Sequence, residues 1–256
     1  MVKAKKHLGQ HFLKNEEVTL RIADALSQKQ PYNNVLEIGP GTGVLTKYLV
    51  EKDYNLKVVE IDRESIAYLQ EHYPSLEIIE QDFLRMDLSS FYNQAPIAII
   101  GNFPYYISSQ ILFKIYDNKD QVLEMVGMFQ KEVAERVCAK PGSKTYGVLS
   151  VLIQAFYDVE YLFTVNENDF DPPPKVKSGV MRMERNTTKH LSCDEKLFKQ
   201  IVKLGFNQRR KTLRNSLKSI LPEEARSNDI FGKRPEQLSV EDFIGICTLV
   251  ETARNN

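Results

Sequence analysis

The sequence predicts an α/β fold: a mostly parallel sheet with helices on both faces, followed by a small all-helical C-terminal domain. Three observations carry that prediction. Short apolar runs alternate with helix-period stretches over the first 185 residues. A glycine-rich turn, Gly39-Pro40-Gly41-Thr42-Gly43, follows the first of those runs. Beyond Arg185 the strand pattern stops, and apolar residues recur at helical spacing instead.

Buried strands are expected at Asn34–Ile38, Lys57–Ile61, Leu76–Glu80, Ile97–Gly101 and Val122–Phe129, because each is a short apolar run. Between and after them, Val44–Lys52, Arg63–His72, Ile107–Tyr116, Lys131–Ala139 and Val148–Tyr157 read as helices. Strand and helix in alternation give parallel strands joined by crossovers, hence a sheet covered on both faces. Two further β-rich segments, Val159–Val165 and Ser178–Met183, flank Asp171-Pro172-Pro173-Pro174. Three prolines hold that connection extended and forbid a helix, so the two strands suit an antiparallel edge. Asn186–Cys193 is polar and reads as a linker. Leu197, Ile201, Leu204, Leu213, Leu217 and Ile220 then fall at helical spacing, and Val240–Thr252 follows the same pattern. The expected domains are therefore 1–185 and 190–256.

Composition removes several classes. Balanced charge (34 Lys+Arg, 34 Asp+Glu) with 42% apolar and 10% aromatic residues is that of a folded chain, not a disordered or repetitive one. No apolar run approaches the roughly 18 residues that span a bilayer. The opening MVKAKKHLGQHFL is basic but has no apolar core, so it does not read as a secretory signal. Cys138, Cys193 and Cys247 form neither a metal clip nor an even disulfide set, which suits a cytoplasmic location. His7 and His11 are four residues apart, but no neighbouring carboxylate or cysteine completes a site, so no metal is expected.

The zero net charge conceals a sorted chain. Lys3, Lys5, Lys6 and Lys14 occupy residues 1–14 without an acid, and eight basic residues between Lys196 and Leu221 are equally unopposed. Residues 37–100 hold eleven acids against five bases. Such segregation lets local fields bind a polyanion.

Glycine lets the turn bend tightly and brings backbone against a ligand at Gly39 and Gly41. Its spacing is not the G-x-G-x-x-G of a pyrophosphate site, and Glu37 just before it would repel phosphates. Glu60 ends the second strand, where a carboxylate accepts ribose hydroxyls. Asp82 follows the third, placed to accept from an adenine amino group. Three acids at successive strand ends face one crevice, and a cationic, phosphate-free nucleoside fits them: S-adenosylmethionine. The fourth strand ends in Asn102-Phe103-Pro104-Tyr105-Tyr106. The Asn102 amide oxygen, with the carbonyl of Phe103 or Pro104, can accept hydrogen bonds from an exocyclic amine and orient its lone pair. Tyr105 can stack on the base, worth about 1–3 kcal/mol.

These residues resemble the ribosomal RNA adenine N6-dimethyltransferase family, specifically its bacterial small-subunit branch. Five motifs carry the resemblance between Lys5 and about Leu221: Leu8-Gly9-Gln10-His11-Phe12-Leu13, the glycine turn, Asn102-Phe103-Pro104-Tyr105, Phe170-x-Pro172-x-Pro174-Lys175-Val176-x-Ser178, and Phe206-Asn207-Gln208-Arg209-Arg210-Lys211. The resemblance implies a Rossmann-like seven-stranded methyltransferase sheet and cofactor contacts at His11, Leu13, Gly39, Glu60, Asp82 and Asn102. It implies N6,N6-dimethylation of two adjacent adenosines near the 3′ end of 16S rRNA, in the 30S subunit or its precursor, and a role in ribosome biogenesis. Phe170 is implied as the second wall of the adenine pocket. Arg209, Arg210, Lys211 and Arg214, read as a basic helix, should grip RNA phosphates, with Lys5, Lys6 and Lys14 doing likewise at the pocket. The chain departs from the commonest pattern at His11, where Asn is frequent, and at Phe103, where Leu is usual.

Two other functions fit the residues less well: a resistance-type 23S rRNA adenine methyltransferase, and a ribosome-assembly factor that keeps the fold but only binds. The Phe170 proline motif and the arginine-rich C-terminal part favour the small-subunit enzyme over the first. Intact Glu60, Asp82 and Asn102 disfavour the second. Nothing in the sequence calls for an obligate dimer, so a monomer is expected, with no membrane partner.

Overall fold

The computed structural model describes residues 2, 4, 5 and 8–255. Lys3, Lys6 and His7, named above for charge or metal binding, lie outside the described residues. The chain enters through a two-residue strand β1 (Phe12–Leu13) and helix α1 (Glu16–Ala23), neither of which the apolar pattern marks. Asn15 caps α1 by accepting the Val18 N–H. There follow β2 (Asn34–Ile38), α2 (Thr46–Leu49), β3 (Asn55–Glu60), α3 (Arg63–His72), β4 (Glu77–Glu80), β5 (Ile97–Asn102), α4 (Ser108–Asp117) and β6 (Val122–Gln130). After α5 (Lys131–Cys138) and α6 (Val148–Gln154) come β7 (Tyr157–Val165), β8 (Phe170–Asp171) and β9 (Ser178–Arg185). The chain closes with α7 (Glu195–Asn207), α8 (Leu213–Ser216) and α9 (Val240–Asn255).

Seven strands form one sheet in the order β4-β3-β2-β5-β6-β9-β7. The first five are parallel, and β9 runs antiparallel to β6. The α/β architecture and the helical C-terminal elements are as expected. Moving outward from β2, the chain adds β3 and β4 on one side, then returns to lay β5 on the other. Ligands in such sheets sit at that reversal, beyond the carboxyl ends of the strands. Here those ends are Ile38 and Asn102.

Both faces are apolar because the strands alternate within continuous runs. On one face Val35, Ala98, Ile100, Val126, Met128 and Val180 pack with Val18, Ile22 and Ala23 of α1 and Leu49 of α2. Their neighbours Leu36, Ile99, Met125 and Met181 are equally buried. A separate two-stranded ladder pairs Phe12 with Asp171 and Leu13 with Phe170.

Two helices are shorter than their patterns. The glycine turn runs on through Leu45, so α2 begins only at Thr46. α6 ends at Gln154 because Tyr157 already belongs to a strand.

Contacts divide the chain into two units, residues 1–135 with 158–185, and residues 136–157 with 186–256. The sequence assigns 136–157 to the first domain, whereas here it groups with the C-terminal helices. The reason lies in α6, which is buried at Leu149, Val151, Leu152 and Ile153 and lies against α7 and α9. Within this second unit Phe206 meets Tyr146 edge-on at 6.0 Å and Phe243 at 5.9 Å. The expected basic helix is not one: residues 208–212 form a turn between α7 and α8.

Candidate active site

A cavity of about 330 Å³ opens in the first unit, within the size range of small-molecule sites. It lies at the β2–β5 reversal and is lined by the glycine turn, the ends of β3, β4 and β5, and residues 8–13. His11, Leu13, Gly39, Gly41, Glu60, Asp82, Asn102, Phe103, Pro104 and Tyr105 all line it. Among the described residues, three that line it are acids and none is Lys or Arg.

Gly39 has φ +66°, and a Cβ there would meet nothing within 4 Å. The position needs glycine for its backbone, and the space beside it is open to a ligand. Gly41 (φ +57°) differs: a Cβ would fall 2.8 Å from the Phe12 ring, which closes over the turn.

Glu37 corrects the expectation drawn from it. Its carboxyl is buried and accepts the Thr46 hydroxyl at 2.7 Å, so it anchors α2 rather than presenting a surface charge to a ligand. Burial drives its pKa up to about 8, the Thr46 bond opposes this, and nearby Glu60 adds to it. What disfavours a phosphate is that Glu60 and Asp82 line the cavity with no Lys or Arg beside them among the described residues.

Glu60 is held by backbone: Ile61 N–H and Asp62 N–H donate to Oε1 at 2.8 and 2.9 Å, and Gly41 N–H to Oε2 at 3.1 Å. A carboxylate has about four lone-pair sites, so Oε2 retains capacity for a further donor. Asp82 caps the short turn after β4 through Leu84 N–H at 2.9 Å, and its Oδ2 lies 3.6 Å from Arg85.

At the end of β5 the Asn102 amide nitrogen donates to the His11 carbonyl at 3.1 Å. Phe103 turns inward. Its N–H continues the ladder to the Met128 carbonyl, and its ring lies over the paired Gly101 and Gly127, where added Cβ atoms would sit 2.8 and 2.2 Å from ring carbons. The Pro104 carbonyl receives Ile107 N–H at 3.3 Å and Ser108 Oγ at 3.4 Å, closing a helical turn. Tyr105 is fixed at both ends, its hydroxyl 2.7 Å from Ser178 Oγ and its ring stacked near-parallel on His11 at 5.8 Å. Burial raises the Tyr105 pKa, so the phenol stays neutral. His11 Nδ1 lies 2.7 Å from the Pro172 carbonyl, which can only accept, so Nδ1 carries a proton.

Phe170 does not reach the cavity. It is 1% exposed and packs in the core beside Leu13, its ladder partner, because strand alternation turns both side chains inward. Lys5 is likewise not a free cation: it pairs with Asp62 and Glu64. Lys14 is exposed, with its backbone N–H on the Asp169 carbonyl. The other proposed RNA contacts belong to the second unit. Arg209 donates to the Ser143 carbonyl and Arg214 to the Arg226 carbonyl, while Arg210 and Lys211 are exposed in the turn.

Residues that the sequence reading missed include Ile61, 54% exposed beside Glu60, and Tyr106, 61% exposed on the cavity rim. A large apolar side chain directly after a strand-end acid is the signal that marks Ile61.

A model of the family described as ribosomal RNA adenine dimethylase matches residues 1–249. The chain is 61% identical over 253 residues to ribosomal RNA small subunit methyltransferase A of Flavobacterium johnsoniae, covering 98% of this chain and 97% of that one. It is 61% identical to the protein of the same name from Bacteroides thetaiotaomicron over 257 residues, covering 99% and 96%. Among solved structures, a dimethyladenosine transferase from Plasmodium falciparum superposes with a TM-score of 0.80 at 25% identity, covering 95% of this chain and 98% of that one. The 23S rRNA methyltransferase ErmE shares the fold with a TM-score of 0.70 at 24% identity, covering 93% and 99%.

Proposed function

This chain belongs to the ribosomal RNA adenine dimethylase family, and from that premise we propose how its residues serve the reaction. The protein is an S-adenosylmethionine-dependent rRNA adenine N6,N6-dimethyltransferase. Its substrate is the small-subunit RNA: two adjacent adenosines near the 3′ end of 16S rRNA, met in the 30S subunit or its precursor in the cytoplasm by a monomeric enzyme. Relatives near 60% identity over the whole chain carry the small-subunit name, which supports this reading over a 23S enzyme. The single observation behind the chemistry is that Gly39, Glu60 and Asp82 line the same cavity as Asn102 and Tyr105.

The cavity suits the methyl donor. It presents the carboxylates of Glu60 and Asp82, has no Lys or Arg among the described lining residues and is open over Gly39, as a cationic sulfonium nucleoside requires. When bound, S-adenosylmethionine supplies an electrophilic methyl group on positively charged sulfur. Glu60 Oε2 would take a ribose hydroxyl, Asp82 the adenine amino group, and Ile61 an apolar face of the ring.

The chain's own part is to hold and polarise the target amine. Adenine N6 is a poor nucleophile because its lone pair is delocalised into the ring. Asn102 Oδ1 and the Phe103 carbonyl would accept its two N–H bonds and turn the lone pair towards the methyl carbon. The Phe103 carbonyl is the better second acceptor, since that of Pro104 already closes a turn. Tyr105, braced by Ser178 and His11, offers a ring face to the purine. After transfer the proton passes to water, and Asn102 does not act as a base. Positioning and polarisation carry the rate.

Methyl incorporation into under-methylated 30S particles, compared with 50S subunits and naked 23S RNA, tests the reading. Label confined to 30S particles is expected; label on 23S RNA would reverse the assignment of substrate.

A further inference from the structure

Residues 8–13 form a strap along one wall of the cavity. Its far end is sewn down by the Leu13–Phe170 ladder and by Lys14 N–H on the Asp169 carbonyl at 2.8 Å. Its middle is held by Asn102 and by Phe12 over Gly41. The near end is held by polar groups. Lys5 Nζ lies 2.5 Å from Asp62 Oδ1 and 3.0 Å from Glu64 Oε1. Gln10 Nε2 reaches Asp62 Oδ2 at 3.3 Å, and Gln10 Oε1 accepts the Lys5 N–H at 2.8 Å. Gly9 sits between these anchors with φ +61°, against the Tyr106 ring. Asp62 in turn donates its own N–H to Glu60, so the anchor adjoins the acid on the cavity wall.

We propose that Lys5 and Asp62 form a latch that keeps the strap closed over the cavity and sets how long the methyl donor stays bound. Both are positioning residues: neither lines the cavity, and they act through the strap and Glu60. The Asp62 side chain is 2% exposed and that of Lys5 27%, so the pair is a charge-assisted bond on a largely desolvated acid. Removing Lys5 leaves a buried carboxylate without its cation, held only by the neutral donors Gln10 Nε2, Ser65 Oγ and the Glu64 N–H, which favours an open strap in which water reaches Asp62. Gly9 supplies the backbone freedom for that opening.

The proposal rests on the functional reading only for the identity of the ligand, so binding is the quantity to measure. Dissociation of S-adenosylmethionine from the full-length protein is followed by stopped-flow displacement for wild type, Lys5→Ala, Lys5→Arg and Asp62→Asn. Asparagine still caps α3 but carries no charge. The latch predicts about tenfold faster release in Lys5→Ala and Asp62→Asn, since changes within one complex fall mainly on dissociation. In Lys5→Ala the KM for the donor should rise in step, with kcat at saturating donor within about twofold of wild type. Lys5→Arg should restore slow release. Raising salt should speed release from wild type and not from Lys5→Ala. Unchanged release from Lys5→Ala, in a protein whose wild type binds the donor, overturns the latch; should Asp62→Asn fail to fold, Lys5→Ala alone decides. A wild type that binds no donor overturns the functional reading itself, and the latch with it.

Discussion

The Asn102 amide donates to a backbone carbonyl, and a carbonyl can only accept, so its nitrogen faces His11 and its oxygen remains for the substrate. Asn102→Ala should therefore bind S-adenosylmethionine, weakly, while losing at least about 100-fold in single-turnover transfer. A near-wild-type rate would remove Asn102 from the chemistry. Glu37 makes a different prediction. Its folded pKa of about 8 lies above the ordinary 4.5. Below that ordinary value both folded and unfolded chains keep the proton. As pH rises further only the unfolded chain releases it, so stability falls, and the loss levels off once the folded group titrates too. Glutamine keeps an acceptor for Thr46 and cannot titrate. The gain in melting temperature from Glu37→Gln should be at least about 2 °C larger at pH 8.5 than at pH 5, and an equal gain at both would refute the buried charge. Glu37 and Phe170 also mark where sequence stops being legible. Residue types announced an acid and an aromatic near the site, but which way each side chain points depends on strand register and on Thr46, nine positions away.

At the scale of elements, β2, β5 and β6 were legible because they are buried on both faces and their apolar runs are continuous, whereas β4, expected to be buried, has no fully buried residue. Arg63–His72 was legible as a helix because Asp62 caps it at the start of an amphipathic turn. β1 and β8 were not, since two residues display no period. The Phe103 departure finds its explanation here. Gly101 and Gly127 are paired across β5 and β6, and their missing side chains make the space that the Phe103 ring fills. Gly127→Ala would place a Cβ 2.2 Å from that ring and should destabilise the protein by about 1–3 kcal/mol in urea unfolding. Adding Phe103→Leu should recover part of the loss, since contacting sites couple. Simple additivity of the two changes would separate the glycine from the ring.

Over the whole molecule, charge segregation was readable along the chain, but not which cations are engaged. Arg209 and Arg214 hold backbone carbonyls of their own unit, Lys5 holds two acids, and Arg210 and Lys211 project from a turn where a helix was expected. Arg210→Glu should weaken 30S binding and reduce the slope of affinity against salt, because a phosphate contact releases counterions. Equal affinity at every salt concentration would exclude that contact.

The most direct measurement is a crystal structure of the protein with S-adenosylhomocysteine and adenosine. The adenosyl group should lie between Gly39 and Asp82, with the N6 of the second nucleoside within hydrogen-bond reach of Asn102 Oδ1 and the Phe103 carbonyl. A nucleoside bound elsewhere, or side chains filling the space beside Gly39, would contradict it.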